Sequence, residues 1–574
     1  MAATETSLRS RRSAEPTAIP VSSDDGWESP TTLADDRRTD DDRYLPGRSD
    51  GVVREATGLI GGPVGRHAVV GRGPRLTPVR VLFGLALIAL ALGWFGKAGC
   101  LQQAPPDANS AASQSSEMRL DWDDQRQFTD LCYSDVIALF GAEHLDRGAF
   151  PYQTFWYEDG PDGKQIKRYM EYPVITGMYM YGVSEIARAW SDASDRWGIP
   201  GALDVVLFFD LAALGLALFW LVTIWATGRT ARTRLWSTWL AALSPLVVVH
   251  VFTNFDAIAI AFVALAMLSW ARRRPWLAGV FIGLGTAAKL YPVLLLGVIL
   301  VLCLRTGKVR EFVAALTAAA ATWIVVNLPI LIAYPSGWRE FFRYNSDRGA
   351  DPDSIYRIIS DAGGFTWNVD VLNAVSLALL LLVAIGVAFI GLRAPYRPRL
   401  AQLAFLLVAG FLLVNKVWSP QYSLWLVPLA VLAIPRTRLL LAWMVVDAAV
   451  WIPRMALYLD ADRKWLPEQW FTVAVVIRAL MVITVCAVII WEIWHPEDDA
   501  VRYDAAGRWL DDPGGGVFDG APDQLGAWGR RNPPPGVSDV GAWTTGAHPS
   551  ESVAASTRDA SADIPPSDSR GDRL

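Results

Sequence analysis

Five stretches of this chain set a titratable side chain beside aromatic or amide neighbours, and each has the makings of chemistry. Cys132-Tyr-Ser134-Asp135 opens an amphipathic run containing Val136, Ile137, Leu139 and Phe140. A carboxylate at such a helix start either caps the helix or is left free to take a proton. Arg147-Gly148 and Pro151-Tyr152 follow, then Glu171-Tyr172-Pro173. Asn254-Phe255-Asp256 carries the same ambiguity as Asp135, since Asp256 again stands where a helix begins. Lys289 lies in Gly283-Leu-Gly-Thr-Ala-Ala-Lys289-Leu-Tyr291-Pro292. An ammonium in so apolar a setting costs about 2.5–3.5 kcal/mol at mid-helix, so it has a partner or a ligand, or snorkels to the interface. Small residues at 283, 285, 287 and 288 let a neighbouring helix come close. Asn415-Lys416-Val-Trp418-Ser-Pro-Gln421-Tyr422 adds a second cation, an amide and aromatics. Residues 334–370 contain Arg339, Arg343, Arg348 and Arg357. Guanidinium forks match phosphate oxygens, although loop arginines often pair instead, here with Asp347, Asp351 and Asp353.

The elements that must position these residues are membrane helices. Hydrophobic residues make up 52% of the 574, with 26 Trp, more apolar surface than one soluble core hides. Bounded by charge, about 12 apolar runs emerge, near 79–97, 203–227, 235–251, 256–271, 276–289, 291–304, 311–333, 371–392, 400–416, 422–434, 439–457 and 470–494. The expected fold is an all-α, polytopic helical bundle. Alternate connections hold the basic residues: Arg72, Arg75 and Arg80; Arg229, Arg232 and Arg234; Arg272, Arg273 and Arg274; Arg305, Lys308 and Arg310; Arg393, Arg397 and Arg399; Arg436 and Arg438. By the positive-inside rule these face the cytoplasm of an inner (plasma) membrane protein with both termini cytoplasmic. The opposite, extracytoplasmic side then receives a large first loop, 98–202, the loop 334–370, and the candidate residues Asp135, Glu171, Asp256, Lys289, Lys416 and Gln421. Several spans fall short of the roughly 20 residues a bilayer needs, so their polar apices are expected at membrane depth. Met178–Ala189 reads as an interfacial or dipping helix. The first apolar run, from Val79, reads as a membrane anchor rather than a cleaved signal. Residues 1–77 and 497–574 read as disordered tails, leaving 78–496 as the membrane domain.

Composition also excludes. The net charge of −5 is small and says little about partners, but the lack of a basic, aromatic-interleaved stripe argues against nucleic acid. No glycine-rich nucleotide loop follows a strand. His67, His144, His250, His495 and His548 lack ligand spacing, which argues against zinc. Asp121, Asp123 and Asp124 could hold a hard cation, but such a run is usually just solvated. No cofactor is assigned on these residues, and a divalent cation stays open. Cys303 and Cys486 lie in apolar runs. Cys100 and Cys132 share the first outer loop, where an oxidising compartment would allow a disulfide; two free thiols is the other option.

In order along the chain, Tyr-Ser-Asp135, Pro151-Tyr152, Glu171-Tyr-Pro-Val-Ile-Thr-Gly177, Asn254-Phe-Asp256, Ala287-Ala-Lys289-Leu-Tyr-Pro292 and Trp418-Ser-Pro-Gln421-Tyr422 resemble glycosyltransferase family 87 of the GT-C membrane superfamily, in particular its actinobacterial members. The resemblance spans about 79–494. It implies transfer of a sugar, typically mannose, from a polyprenyl phosphate carrier to a glycolipid or polysaccharide acceptor outside the membrane. It also implies an acidic base in the first outer loop, the matching residue being Asp135. The single aspartate after Ser134 departs from the Asp-x-Asp metal motif of other GT-C enzymes. Lys289, with Tyr291, Tyr172, Asn254, Lys416, Gln421 and Arg348, would then surround substrate and leaving phosphate. Attack by a single displacement would invert the anomeric centre. A lipid-substrate transporter or flippase, or a non-catalytic scaffold of the cell envelope, are the alternatives.

Overall fold

The computed structural model describes residues 77–105, 118–160, 163–504 and 508–525. The expected tail 1–77 lies outside them but for its last residue, as does the C-terminal stretch from 526. Among the described residues, six helical stretches are long and apolar enough to cross a bilayer: Pro78–Leu101, Asp204–Ala242, Val309–Ala333, Val369–Arg393, Thr437–Leu457 and Gln469–Trp494. Five shorter apolar helices lie among them: Asp256–Ala271, Pro275–Ala288, Tyr291–Thr306, Leu400–Val414 and Pro420–Ala433. All twelve apolar runs are thus largely helical, but half are too short or too broken to span. The run at 235–251 is one of these. It breaks between Trp239–Ala242 and Pro245–His250, where Ser244 caps the second piece by accepting from Leu246 N–H at 3.2 Å. The protein is a multi-pass, all-α membrane protein.

The short helices form the centre of the bundle and the long ones its lipid-facing rim. Asp256–Ala271 and Leu400–Val414 are buried along most of their lengths, whereas Val309–Ala333 and Val369–Arg393 expose residues such as Val325, Ile332, Leu382 and Ile385. A helix buried on all sides is apolar all round, which is how these central segments read. Close packing sets the height of the Pro275–Ala288 helix. A Cβ at Gly279 would meet the Ala315 carbonyl oxygen at 2.1 Å, and one at Gly283 the Ala319 carbonyl oxygen at 2.5 Å. The small-residue faces of two helices therefore touch backbone to backbone, fixing the helix end that bears Lys289.

The first long loop is more structured than a dipping helix alone would make it. It contains two small antiparallel hairpins, Gln103–Ala104 with Arg119–Leu120 and Trp156–Asp159 with Gln165–Arg168, and the short helix Asp135–Ala142. Met178–Ala189 lies within a longer helix, Val174–Trp197. Cys100 and Cys132 are joined by a disulfide with Cα atoms 5.6 Å apart, which ties the loop to the end of the first spanning helix.

One expectation needs correction. The tail expected to be disordered from 497 instead packs against the bundle over residues 497–504 and 508–525, at the end bearing the arginine-rich connections. Asp499 is fully buried on Arg399, and Phe518 is fully buried beside Trp270, ring centroids 5.1 Å apart. The polar composition that suggested disorder supplies carboxylates that buried guanidinium groups require.

Candidate active site

At the opposite end, where the two long loops converge, lies a cavity of about 750 Å³. Its walls include Asp135, Glu143, Glu171, Tyr172, Asn254, Lys289, Arg348, Gln421, Tyr422 and Arg454.

Asp135 owes its availability to its neighbour. Ser134 is the cap of the Asp135–Ala142 helix: its hydroxyl accepts from Val136 N–H at 3.2 Å and donates to the Phe252 carbonyl at 2.6 Å. Asp135 N–H donates to the Thr253 carbonyl at 2.8 Å. The capping role belongs to the serine, so the aspartate side chain is free to face the cavity. Its Oδ2 accepts from Asn254 Nδ2 at 2.8 Å and lies 3.4 Å from Gln421 Nε2. The same Asn254 amide donates to the Tyr172 hydroxyl at 2.9 Å. Two neutral amides thus orient one carboxylate without neutralising it.

Asp256 is no cap either. Its Oδ1 accepts from Lys289 Nζ at 2.6 Å and from Trp425 Nε1 at 2.7 Å. It is 1% exposed and stands behind the cavity wall, whereas Lys289 reaches the wall. The ammonium lies 4.5 Å from the Tyr422 ring centre and 5.5 Å from that of Trp425. Tyr291 stacks on Trp425 at 4.1 Å, and Tyr422 stacks on it at 4.3 Å. Tyr291 is therefore part of the aromatic shelf under Lys289 and does not line the cavity. Thr176 Oγ1 donates to the Ala288 carbonyl at 2.8 Å, fixing the backbone just before the lysine.

The motif Glu171–Gly177 is shaped around Tyr152. That tyrosine adopts a left-handed φ of 68° and donates its hydroxyl to the Tyr172 carbonyl at 3.0 Å. A Cβ at Gly177 would come within 2.2 Å of the hydroxyl, so only glycine fits there. Glu171 and Tyr172 are thereby held in the wall. Burial pushes the Glu171 carboxyl up to about 7, against the opposing effects of a hydrogen bond from Tyr344 and the charge of Arg348.

Of the four loop arginines, only Arg348 reaches the cavity. It pairs with Asp351 at 3.0 Å. Arg343 is taken up by Glu340, Arg357 pairs with Asp361, and Arg339 is exposed. Arg147 is exposed on Asp146. Lys416 stands outside the cavity, contrary to a phosphate-binding role. Its Nζ donates to the carbonyls of Ser346 and Arg348, at 3.2 and 2.6 Å, and to Asn373 Oδ1 at 2.5 Å. An ammonium bound to three oxygens of the 346–373 stretch is a clamp on the Arg348 segment. Asp353 anchors the same segment on the helix side, between Arg454 and Arg478.

The sequence reading missed Glu143, Arg454 and the tyrosines at 133, 344 and 458. Glu143 had a signal. Residues 135, 138, 139, 142 and 143 all line the cavity, the i, i+3, i+4, i+7, i+8 stripe of one helix face. Tyr133 stood inside the quoted Cys132–Asp135 motif, whereas Tyr344, Arg454 and Tyr458 come from remote segments and had no signal. The Asp121–Asp124 run does not suit a metal, because Arg126, Arg119 and Arg463 bind Asp121, Asp123 and Asp124 respectively. No group of three metal-ligating side chains occurs among the described residues.

The sequence model of Glycosyltransferase family 87 matches residues 200–415. That segment includes Asn254, Asp256, Lys289 and Arg348, and leaves out Asp135, Glu171 and Gln421. Among solved structures, ArnT from Cupriavidus metallidurans, crystallised bound to undecaprenyl phosphate, is similar at 15% identity over 76% of each chain, with a TM-score of 0.37. No curated protein matches the chain.

Proposed function

We propose that this chain, which the sequence model of glycosyltransferase family 87 matches over residues 200–415, moves a hexose, mannose by its sequence resemblance, from a polyprenyl phosphate to a hydroxyl of a glycolipid or polysaccharide. The observation that carries this reading is a carboxylate free of any cap or ion pair, Asp135, sharing one cavity with the Lys289 ammonium.

Asp135 takes the acceptor hydroxyl proton as that oxygen bonds to the anomeric carbon, and the bond from that carbon to the lipid phosphate oxygen breaks. The departing phosphate keeps the electron pair, and Lys289 and Arg348 stabilise its growing charge. Asn254 and Gln421 hold the base in line. One displacement inverts the anomeric centre. No step is routed through a metal, since no group of three metal-ligating side chains occurs at the cavity among the described residues.

The cavity end is proposed to face the extracytoplasmic side and both termini the cytoplasm. Two features support this: the arginine-rich connections lie at the other end, and the Cys100–Cys132 disulfide lies at this one. The catalytic domain is assigned to 78–496, with the ordered stretch to 525 as its companion.

The test is transfer by the purified full chain from polyprenyl phosphomannose and related polyprenyl phosphate sugars. Asp135→Asn is expected to lower turnover by about 10²–10⁴-fold, the usual contribution of a general base, with unfolding temperature unchanged. A wild type inactive with every such donor, or a fully active variant, overturns the reading. A product of retained configuration rejects the single displacement.

A further inference from the structure

The cavity is chemically lopsided around Asp135. Lys289 and Arg348 supply positive charge on one flank, whereas the other follows the Asp135–Ala142 helix to Glu143. Eight residues separate the two carboxyl groups, roughly 12 Å along the axis at 1.5 Å per residue. Glu143 is 4% exposed, and its Oε2 has no hydrogen-bond partner. Its carboxylate is also the acceptor for the Glu171 backbone N–H. Burial and the nearby Glu171 hold the Glu143 carboxyl well above its ordinary range. Glu158 and Glu340 approach the same arm, but Arg168 binds the first, and Arg168 and Arg343 bind the second. Trp156 and Tyr344 line this arm with aromatic surface.

Two buried carboxyl groups disfavour an anion, the charge of the Arg168 guanidinium at the wall being taken up by Glu158 and Glu340, and the arm offers no third ligand to a metal ion. An uncharged polyol fits both demands. Its hydroxyls donate to the orphaned oxygen, which is costly to leave unpaired, or accept from the protonated acid. The apolar face of a pyranose ring suits Trp156 or Tyr344.

We propose that the arm from Asp135 to Glu143 is the acceptor subsite, and that it takes the uncharged end of an oligosaccharide at least two sugars long. The attacking hydroxyl lies at Asp135 and the next ring against Glu143 and Trp156. The assignment rests on the glycosyl-transfer reading and narrows its acceptor to a neutral glycan end.

The experiment is saturation-transfer NMR on the full chain in nanodiscs. The probes are methyl mannobioside, methyl maltoside, mannose 6-phosphate and, separately, undecaprenyl phosphate. A neutral disaccharide is expected to bind and mannose 6-phosphate to bind more weakly. Glu143→Gln should weaken the disaccharide about tenfold while leaving undecaprenyl phosphate unchanged. Trp156→Ala, on a surface hairpin, should do the same and guards against misfolding of the first variant. Failure of both neutral disaccharides to bind, equal binding of the phosphosugar, or indifference to both substitutions overturns the proposal. Disaccharide binding without undecaprenyl phosphate binding would instead sink the lipid-donor reading and leave this subsite standing.

Discussion

At the arginine-rich end, Arg399 lies 2% exposed with its guanidinium forked onto Asp499 at 2.7 and 3.0 Å and onto the carbonyls of Leu432 and Ala433 at 2.8 and 2.6 Å. Arg397 binds Asp511, Asp523 and the carbonyls of Ala521 and Phe518, and Arg305 joins Asp523. At the cavity end, Glu143 keeps one oxygen without a partner, and the Asp135 carboxylate is held by neutral groups, the amides of Asn254 and Gln421 and the Tyr133 hydroxyl. Both ends bury charge. One closes most of its polar groups against segments of the chain that arrive from far away, and the other leaves them facing a hollow. Closed networks of this kind give rigidity, and open ones have binding to gain. Substitutions at the first end should therefore be read in stability, and those at the second in turnover and affinity.

The largest expected effect is at the closed end. Asp499→Ala leaves the buried Arg399 without its counter-charge, and breaking such a pair costs about 3–5 kcal/mol. Loss of the folded protein from membranes, or a much lower unfolding temperature, is the outcome to measure. Deleting residues 497–574 should be at least as damaging, because it also removes Asp511, Asp512 and Asp523. A truncated chain that unfolds at the wild-type temperature would break the contrast between the ends.

Lys289 belongs partly to each class and so sharpens the comparison. Lys289→Met abandons the buried Asp256 carboxylate, at a cost of about 3 kcal/mol, the lower range for a broken buried pair. It also removes the cation assigned to the lipid phosphate. Adding Asp256→Asn should restore most of the stability, since the Trp425 indole can still donate to the amide oxygen. Activity should stay at the level of the single variant. Recovery of turnover in the double variant would mean that the ammonium serves only its ion pair.

The same division explains what could be read from the sequence. Apolar runs and the alternation of arginines mark the helices, because bilayer burial acts on contiguous residues. The local motif at 134–135 put a carboxylate at a helix start, but which residue caps depends on the Phe252 carbonyl, which lies 118 positions away. Lys289 and Asp256 were both singled out, yet their pairing across 33 residues is a property of helix packing. Lys416 has the same composition around it as a ligand-binding lysine, and only the path of the 346–373 backbone turns it into a clamp. The C-terminal stretch looked disordered because Asp, Gly and Pro cannot build a core of their own. Its order comes from guanidinium groups at 305, 397 and 399. Of the cavity residues missed, Glu143 was within reach of pattern reading, at i+8 on the helix face that begins at Asp135.

The smallest predicted effect tests the open end through pH. The Glu171 carboxyl is pushed up to about 7 from 4.5, chiefly by burial, so the folded protein holds this proton where the unfolded chain has released it. Its contribution to stability is therefore complete below about pH 4.5 and is lost as pH rises through about 7. Glu143, raised in the same direction by burial and by Glu171, adds to the trend. Unfolding temperature measured between pH 5 and pH 8 should accordingly fall with rising pH, and Glu171→Gln should flatten part of that slope, leaving the shares of Glu143 and of Asp512 at the other end, which burial also raises. If Glu171→Gln keeps the full wild-type slope, the carboxyl groups of the cavity are not held in their protonated form by burial, and the open end would be better solvated than its geometry implies.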